Sequence, residues 1–155
     1  MTTPTSFASP QPRYVRVLSI AGSDSGGGAG IQADLKTFSA LGCYGMTAIT
    51  AITAQNTLGV TGIHGVPPDM LRAQIDAVAQ DIGVDAVKIG MLASPEVVRV
   101  VAQAIRTHRL PHVVLDPEMG ATSGDRLIAG ETVQAQVNTA VRAATVRYAL
   151  ERLLG

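Results

Sequence analysis

The chain has 155 residues, enough for one domain of ordinary size. Lys plus Arg and Asp plus Glu number 12 each, so the net charge is zero, which argues against a nucleic-acid or anionic-membrane surface; aromatics at 3% remove a base-stacking platform as well. Hydrophobic residues at 46% against 15% charged suit a parallel α/β core whose strands are buried on both faces.

Residues 1–13, MTTPTSFASPQPR, lack the charged start and apolar stretch of a secretion signal, and their Pro, Ser and Thr content reads as a disordered leader. The single cysteine, Cys43, excludes a disulfide framework and makes a reducing cytoplasm the expected compartment. It follows Gly42 at the expected end of the first helix and reads as a small buried apolar residue. No apolar run reaches ~18 residues, so no membrane span is expected.

The chain is organised around residues 15–38, VRVLSIAGSDSGGGAGIQADLKTF. The apolar run 15–21 predicts a buried strand. A glycine cluster follows, and then Ile31, Leu35 and Phe38 recur at helical spacing. Strand, glycine turn and helix form the arrangement in which backbone N–H groups face a ligand at a helix N-terminus. The string Gly28-Ala29-Gly30-Ile31-Gln32-Ala33 matches the dinucleotide pattern G-x-G-x-x-G/A, but no Asp or Glu lies between Leu35 and Pro68 to hold a ribose. A Walker loop is excluded because no Gly-Lys dipeptide occurs. A glycine turn that merely packs a helix on a strand is the plain alternative.

Further along, Gly42 stops the first helix. Residues 46–54, MTAITAITA, predict one strand. Residues 60–66, VTGIHGV, predict a second, able to pair antiparallel with the first across a short turn. His64 falls in this piece and reads as a surface or satisfied strand residue. Pro67-Pro68-Asp69 opens a helix through Asp81, with Leu71, Ile75 and Val78 on one face. Residues 85–89, DAVKI, predict a strand. Ser94 is placed to cap a helix ending near His108, with Val97, Val101, Ala104 and Ile105 as its apolar stripe. A last strand spans 111–115. His108 and His112 show no metal-site spacing and read as structural or solvated. After Gly130, Ala140, Val141, Ala144, Tyr148 and Leu150 suggest a helix, with Arg142, Arg147 and Arg152 outward. Alternation of this kind implies a mostly parallel sheet with helices on its faces. Ligands bind at the C-terminal strand ends of such sheets, here 22–24, Gln55-Asn56, Gly90-Met91 and Asp116-Pro117.

The string 21–37, AGSDSGGGAGIQADLKT, strongly resembles the hydroxymethylpyrimidine and phosphomethylpyrimidine kinases of thiamine biosynthesis, which are ribokinase-like. Ala54-Gln55-Asn56-Thr57, VKIGML at 87–92, VVLDP at 113–117 and ATSGD at 121–125 resemble the same family, in its order and at its intervals. The resemblance implies an α/β fold with a mostly parallel sheet, the N-terminal part of a ribokinase-like fold, over residues 14–130. A divergent, helical tail is expected at 131–155.

The implied activity is ATP-dependent phosphorylation of 4-amino-5-hydroxymethyl-2-methylpyrimidine and then of its monophosphate, with Mg2+ and a possible homodimer. By the same resemblance, Asp34 holds the hydroxymethyl group, and a carboxylate is suited to accept the alcohol's hydrogen bond. Gln55 reads the aminopyrimidine edge with an amide that both donates and accepts. Gly22, Ala29 and Met91 line the pyrimidine pocket, and Asp116 stands near the nucleotide phosphates and metal. Read without the family, Asp34 is a helix-surface residue and Met91 a core filler.

Two departures stand out. The family's Thr-Pro-Asn-x-x-Glu-Ala stretch and its Gly-Thr-Gly-Cys or Gly-Thr-Gly-Asp catalytic turn do not occur, so no catalytic residue is assigned. The alternative expectation is therefore a catalytically inactive pyrimidine-binding or structural fragment. The other departure is Glu118, which stands where the family has a valine against the substrate; an anion there repels a phosphate. Glu118→Val is expected to strengthen binding of the pyrimidine monophosphate more than that of the free alcohol, as read by calorimetric titration. An equal response of the two ligands would place Glu118 outside the pocket.

Overall fold

The computed structural model describes residues 14–116. The expected leader at 1–13, Glu118 and the expected tail at 131–155 therefore lie outside the described residues.

The elements run β1 (Arg16–Ala21), α1 (Gly30–Ala40), β2 (Tyr44–Ile49), β3 (Ala51–Asn56), β4 (Gly59–Gly65), α2 (Pro68–Asp81), β5 (Ala86–Ile89), α3 (Pro95–His108) and β6 (Val113–Leu115). Four strands form one parallel sheet in the order β2-β1-β5-β6. The remaining two, β3 and β4, form a separate antiparallel hairpin.

The two faces of β1 divide the molecule, because successive strand residues point to opposite sides. Leu18 and Ile20 are fully buried and pack with Met46, Ala48, Leu71, Ile75, Val87, Val97, Val98 and Val101, which sets α2 and α3 on that face. Burial of each such aliphatic side chain contributes roughly 1.5–3 kcal/mol. The opposite face carries α1. Gly45 on β2 lies under this helix, and a Cβ there would stand 2.7 Å from Leu35 Cδ2.

The single strand expected over 46–54 is instead two strands joined at Thr50. The break is made by hydrogen bonds that a pattern of β-branched residues does not reveal. Ile49 N donates to Gln74 Oε1 at 2.9 Å, and Gln74 Nε2 returns a bond to Ile49 O at 3.2 Å, so the last residue of β2 is clamped to α2. Thr50 is fully buried; its N–H bonds Ala21 O and its hydroxyl donates to Met91 O at 2.8 Å. The chain leaves the parallel sheet there and turns into the hairpin. Antiparallel pairing of 60–66 with the preceding strand is as expected, with a bulge at Ala54/Gln55.

Cys43 was expected to be buried but is partly exposed, since it sits in the turn after α1 rather than under it. Ser94 does cap α3, its hydroxyl accepting from Val97 N at 3.2 Å.

Polar and charged side chains tie elements together at two places. Arg16 and Asp85 join β1 to the segment entering β5, with Arg16 Nε to Asp85 Oδ2 at 2.8 Å, Nη2 to Oδ1 at 2.6 Å and a further guanidinium bond to Ile82 O. Asp76 Oδ1 on α2 meets His108 Nε2 on α3 at 2.5 Å and Arg72 Nε, one turn back on its own helix, at 2.7 Å. His108 is thus structural, while His112 is exposed. Burial alone would raise the Asp76 pKa, but the hydrogen bonds from His108 and Arg72 outweigh it and hold the carboxyl below its ordinary value of 3.8.

A depressed carboxylate pKa adds stability that is present above the unfolded value and is lost as pH falls through the folded value. The stability difference between wild type and Asp76→Asn, read from urea unfolding, is therefore expected to be full above about pH 5 and to shrink as the pH falls below it. A difference independent of pH would show that the carboxylate contributes no charge-dependent stability.

Candidate functional site

In the order β2-β1-β5-β6 the chain moves from β1 to one side and later returns to the other, so the carboxyl ends of β1 and β5 form the topological switch point. The glycine loop leaves β1 there and Gly90-Met91 leaves β5. The loop's form depends on Asp24, a carboxylate only 5% exposed. Its Oδ1 accepts from Gly26 N at 2.8 Å, and its Oδ2 accepts from Gly28 N at 2.9 Å and Ala29 N at 2.8 Å. Gly27 N donates to Asp24 O, and Ile31 N to Gly22 O. These amides at the start of α1, expected to face a ligand, are turned on the loop's own side chain and backbone. The negative charge a helix N-terminus favours is supplied internally.

Gly30 has φ +55°, and a Cβ there would fall 2.4 Å from Gly22 O, so neither the conformation nor the space admits a side chain. Gln32 Oε1 accepts from Asp24 N at 2.8 Å and Lys36 Nζ donates to Gly27 O at 2.6 Å, so α1 ties the loop down from its own first turns.

The hairpin is pinned to this loop by two serines. Ser23 Oγ accepts from Thr53 N at 3.1 Å while Thr53 Oγ1 donates to Ser23 O at 2.8 Å. Ser25 Oγ accepts from Gln55 N at 2.7 Å and donates to Gln55 O at 2.6 Å. Gln55 is thereby held by its backbone at the rim, half-buried, with its Oε1 3.3 Å from Thr53 Oγ1.

Of the residues singled out in the sequence, Gly22 and Met91 meet directly: a Cβ on Gly22 would stand 2.6 Å from Met91 Cε, and Met91 is 5% exposed. Ala29 caps α1 and gives its N–H to Asp24. Asp34 is not a helix-surface residue, because its carboxylate turns inward to the sheet. Asp116 stands exposed just past the end of β6.

The structure adds two residues that the sequence reading passed over. Ser19 on β1 and Lys88 on β5 are direct register partners on the α1 face. Ser19 Oγ donates to Asp34 Oδ2 at 2.6 Å, and Lys88 Nζ lies 3.0 Å from Asp34 Oδ1 and 4.0 Å from Asp116 Oδ2. A lysine in the middle of a strand covered on both faces needs an acidic partner, and that requirement was readable from DAVKI. The serine's role was not readable without the register.

This arrangement is the amino-terminal part of a ribokinase-like α/β fold, with a mostly parallel sheet and a hairpin folded over its carboxyl rim. Residues 24–147 match the phosphomethylpyrimidine kinase family, and the chain belongs to that family. It is 50% identical over 120 residues to the hydroxymethylpyrimidine/phosphomethylpyrimidine kinase of Salmonella typhimurium, covering 77% of this chain and 45% of that protein. The crystal structure of phosphomethylpyrimidine kinase from Clostridium difficile 630 superposes with a TM-score of 0.74 at 48% identity, over 79% of this chain and 53% of that one. Pyridoxal kinase from Staphylococcus aureus in complex with AMP-PCP gives a TM-score of 0.71 at 33% identity, over 83% of this chain and 46% of that one. The chain thus spans about half the length of these relatives.

Because Asp24 completes the loop, Asp24→Ala is expected to lower the unfolding free energy by about 3 kcal/mol, the cost of stranding several buried N–H groups that had shared a charged acceptor. Asp24→Asn is expected to lose nearly as much, since its NH2 faces an N–H donor. Urea unfolding measures both, and a loss under about 1 kcal/mol for Ala would show that the loop closes without the carboxylate.

Proposed function

We propose that this chain forms the pyrimidine side of an ATP-dependent kinase that phosphorylates 4-amino-5-hydroxymethyl-2-methylpyrimidine and then its monophosphate, a step of thiamine biosynthesis. The observation that carries the reading is Asp34, an inward carboxylate held by Ser19 and Lys88 beside the switch point of a chain of this family.

In this reading Asp34 accepts the hydrogen bond of the substrate's hydroxymethyl O–H and aims its oxygen. Fixing such an oxygen is the main service a protein can give to phosphoryl transfer, which runs on positioning and electrostatics. Gln55 reads the ring nitrogen and the neighbouring amino group with its amide. Gly22, Ala29 and Met91 form an apolar wall against the ring; the missing Cβ of Gly22 leaves Met91 Cε room to lie there. The glycine loop shapes the pocket and does not bind the triphosphate, because its amides are taken by Asp24.

ATP as the phosphoryl donor follows from the family. Asp116 is one exposed carboxylate, and among the described residues no group of three or more His, Cys, Asp or Glu could hold a metal ion. A single carboxylate suits Mg2+ carried largely by nucleotide phosphates, where the ion would neutralise charge on the transferring group. Self-association belongs to the same reading, and the exposed Ile52, Leu58 and Ile63 of the hairpin suit it. Among the described residues no helix is long and apolar enough to cross a membrane.

Binding without transfer is the second reading, favoured because beside the inward Asp34 the described rim offers one exposed carboxylate, Asp116, 4.0 Å from Lys88. Calorimetric titration with the pyrimidine, paired with a coupled ATP-consumption assay, separates the two. The chain is expected to bind the pyrimidine, with Asp34→Ala and Gln55→Ala each weakening binding by roughly 1–3 kcal/mol. Equal affinity in all three proteins would remove the pyrimidine assignment, and pyrimidine-dependent ATP consumption abolished by Asp34→Ala would select the kinase over the binding fragment.

A further inference from the structure

Lys88 has a placement that a simple helix-to-sheet tie does not require. It lies on β5, directly opposite Ser19, and its side chain is 22% accessible. Its ammonium reaches forward along the strand to the rim: a Cβ on Gly90 would stand 3.2 Å from Lys88 Nζ. The bare backbone at Gly90 is what gives the ammonium this position. From there it donates to both oxygens of Asp34, at 3.0 and 3.2 Å, and stands 4.0 Å from Asp116 Oδ2. Ser19, which is fully buried, donates to the same Asp34 Oδ2 at 2.6 Å.

Two carboxylates on one rim repel each other, and a cation between them offsets the repulsion. An ionised carboxylate has about four acceptor sites, and the two donors here act from the sheet side, which fixes the carboxylate plane and leaves capacity for one more O–H. Both anchors sit on parallel strands in the middle of the sheet, so the donors cannot drift relative to each other.

We propose that Lys88 is a positioning residue that sets the plane of the Asp34 carboxylate toward the substrate's hydroxyl and links it electrostatically to Asp116. This rests on the pyrimidine reading of the site. Lys88 touches no reacting atom and acts through Asp34, so its effect falls on recognition of the hydroxyl rather than of the ring.

The test compares two ligands, 4-amino-5-hydroxymethyl-2-methylpyrimidine and the analogue carrying a methyl in place of the hydroxymethyl group. Calorimetric titration of the whole chain is made for wild type, Lys88→Met, Lys88→Arg, Asp34→Asn and the double variant Lys88→Met/Asp34→Asn. Wild type is expected to prefer the alcohol by about tenfold or more, the worth of one hydrogen bond to a charged acceptor. Lys88→Met and Asp34→Asn should each reduce that preference to within about threefold while leaving the affinity for the methyl analogue unchanged. The double variant should lose no more, as residues acting through one another do. Lys88→Arg should restore part of the preference.

Loss of affinity for both ligands alike in Lys88→Met, or no loss for either, would overturn the proposal. Should wild type bind neither pyrimidine, the functional reading falls separately, and the Asp34 carboxyl carbon resonance then decides the role of Lys88. A shift in Lys88→Met that Lys88→Arg reverses upholds Lys88 as the group that orients the Asp34 carboxylate, the part of the proposal that does not depend on the ligand, and an unchanged resonance overturns it.

Discussion

One buried carboxylate governs the geometry of the rim. Asp24 accepts three backbone N–H groups from the turn that follows β1, and in doing so it closes the turn and starts α1. Where α1 starts decides where Asp34 falls, one turn further on and facing the sheet. The same closed turn presents Ser23 and Ser25 to the hairpin, and these hold Gln55 by its backbone. Thus Asp34 and Gln55, the two groups of the proposed pyrimidine site, stand on different elements, yet both are referred to one turn.

The parallel sheet separates two tasks by strand parity. On one face Leu18, Ile20, Val87 and Ile89 bury themselves under α2 and α3 and supply the apolar burial. On the other face Ser19 and Lys88, one residue over in each strand, form a polar platform beneath α1. A half-buried ion pair is a poor source of stability, because desolvation offsets much of its attraction. Its presence on the face nearest the rim, with the apolar core on the other, is the arrangement expected when a charged group is kept for what it holds in place.

Much of this was legible in residue order. The strand, glycine turn and helix at 15–38 and the three described helices follow from periodicity and breakers acting locally. The resemblance in five blocks singles out Asp34, Gln55 and Met91, the residues the proposed pyrimidine site uses. What was not legible is whatever depends on a partner far along the chain. The continuous β-branched run 46–54 gives no sign that Thr50 leaves the sheet, because the break is made by Gln74 and Met91. Ser19 looks like a small residue in a buried strand until its register with Lys88 is known. The glycine loop has the composition of an anion cradle, and only the hydrogen bonds show that Asp24 already fills it.

The central position of β1 has a consequence for how the polypeptide assembles as it is made. Pairing of β1 with β2 closes a short stretch of chain and forms early, whereas pairing with β5 joins residues as far apart as Arg16 and Asp85, separated by 69 positions. Contacts of that span carry a larger loop-closure cost and form late. Until α3 has been synthesised, Leu18 and Ile20 have only part of their cover, since Val97, Val98 and Val101 come from that helix. If β1, α1 and β2 join before α3 is made, one face of their sheet is still apolar and open, the kind of species that chaperones bind.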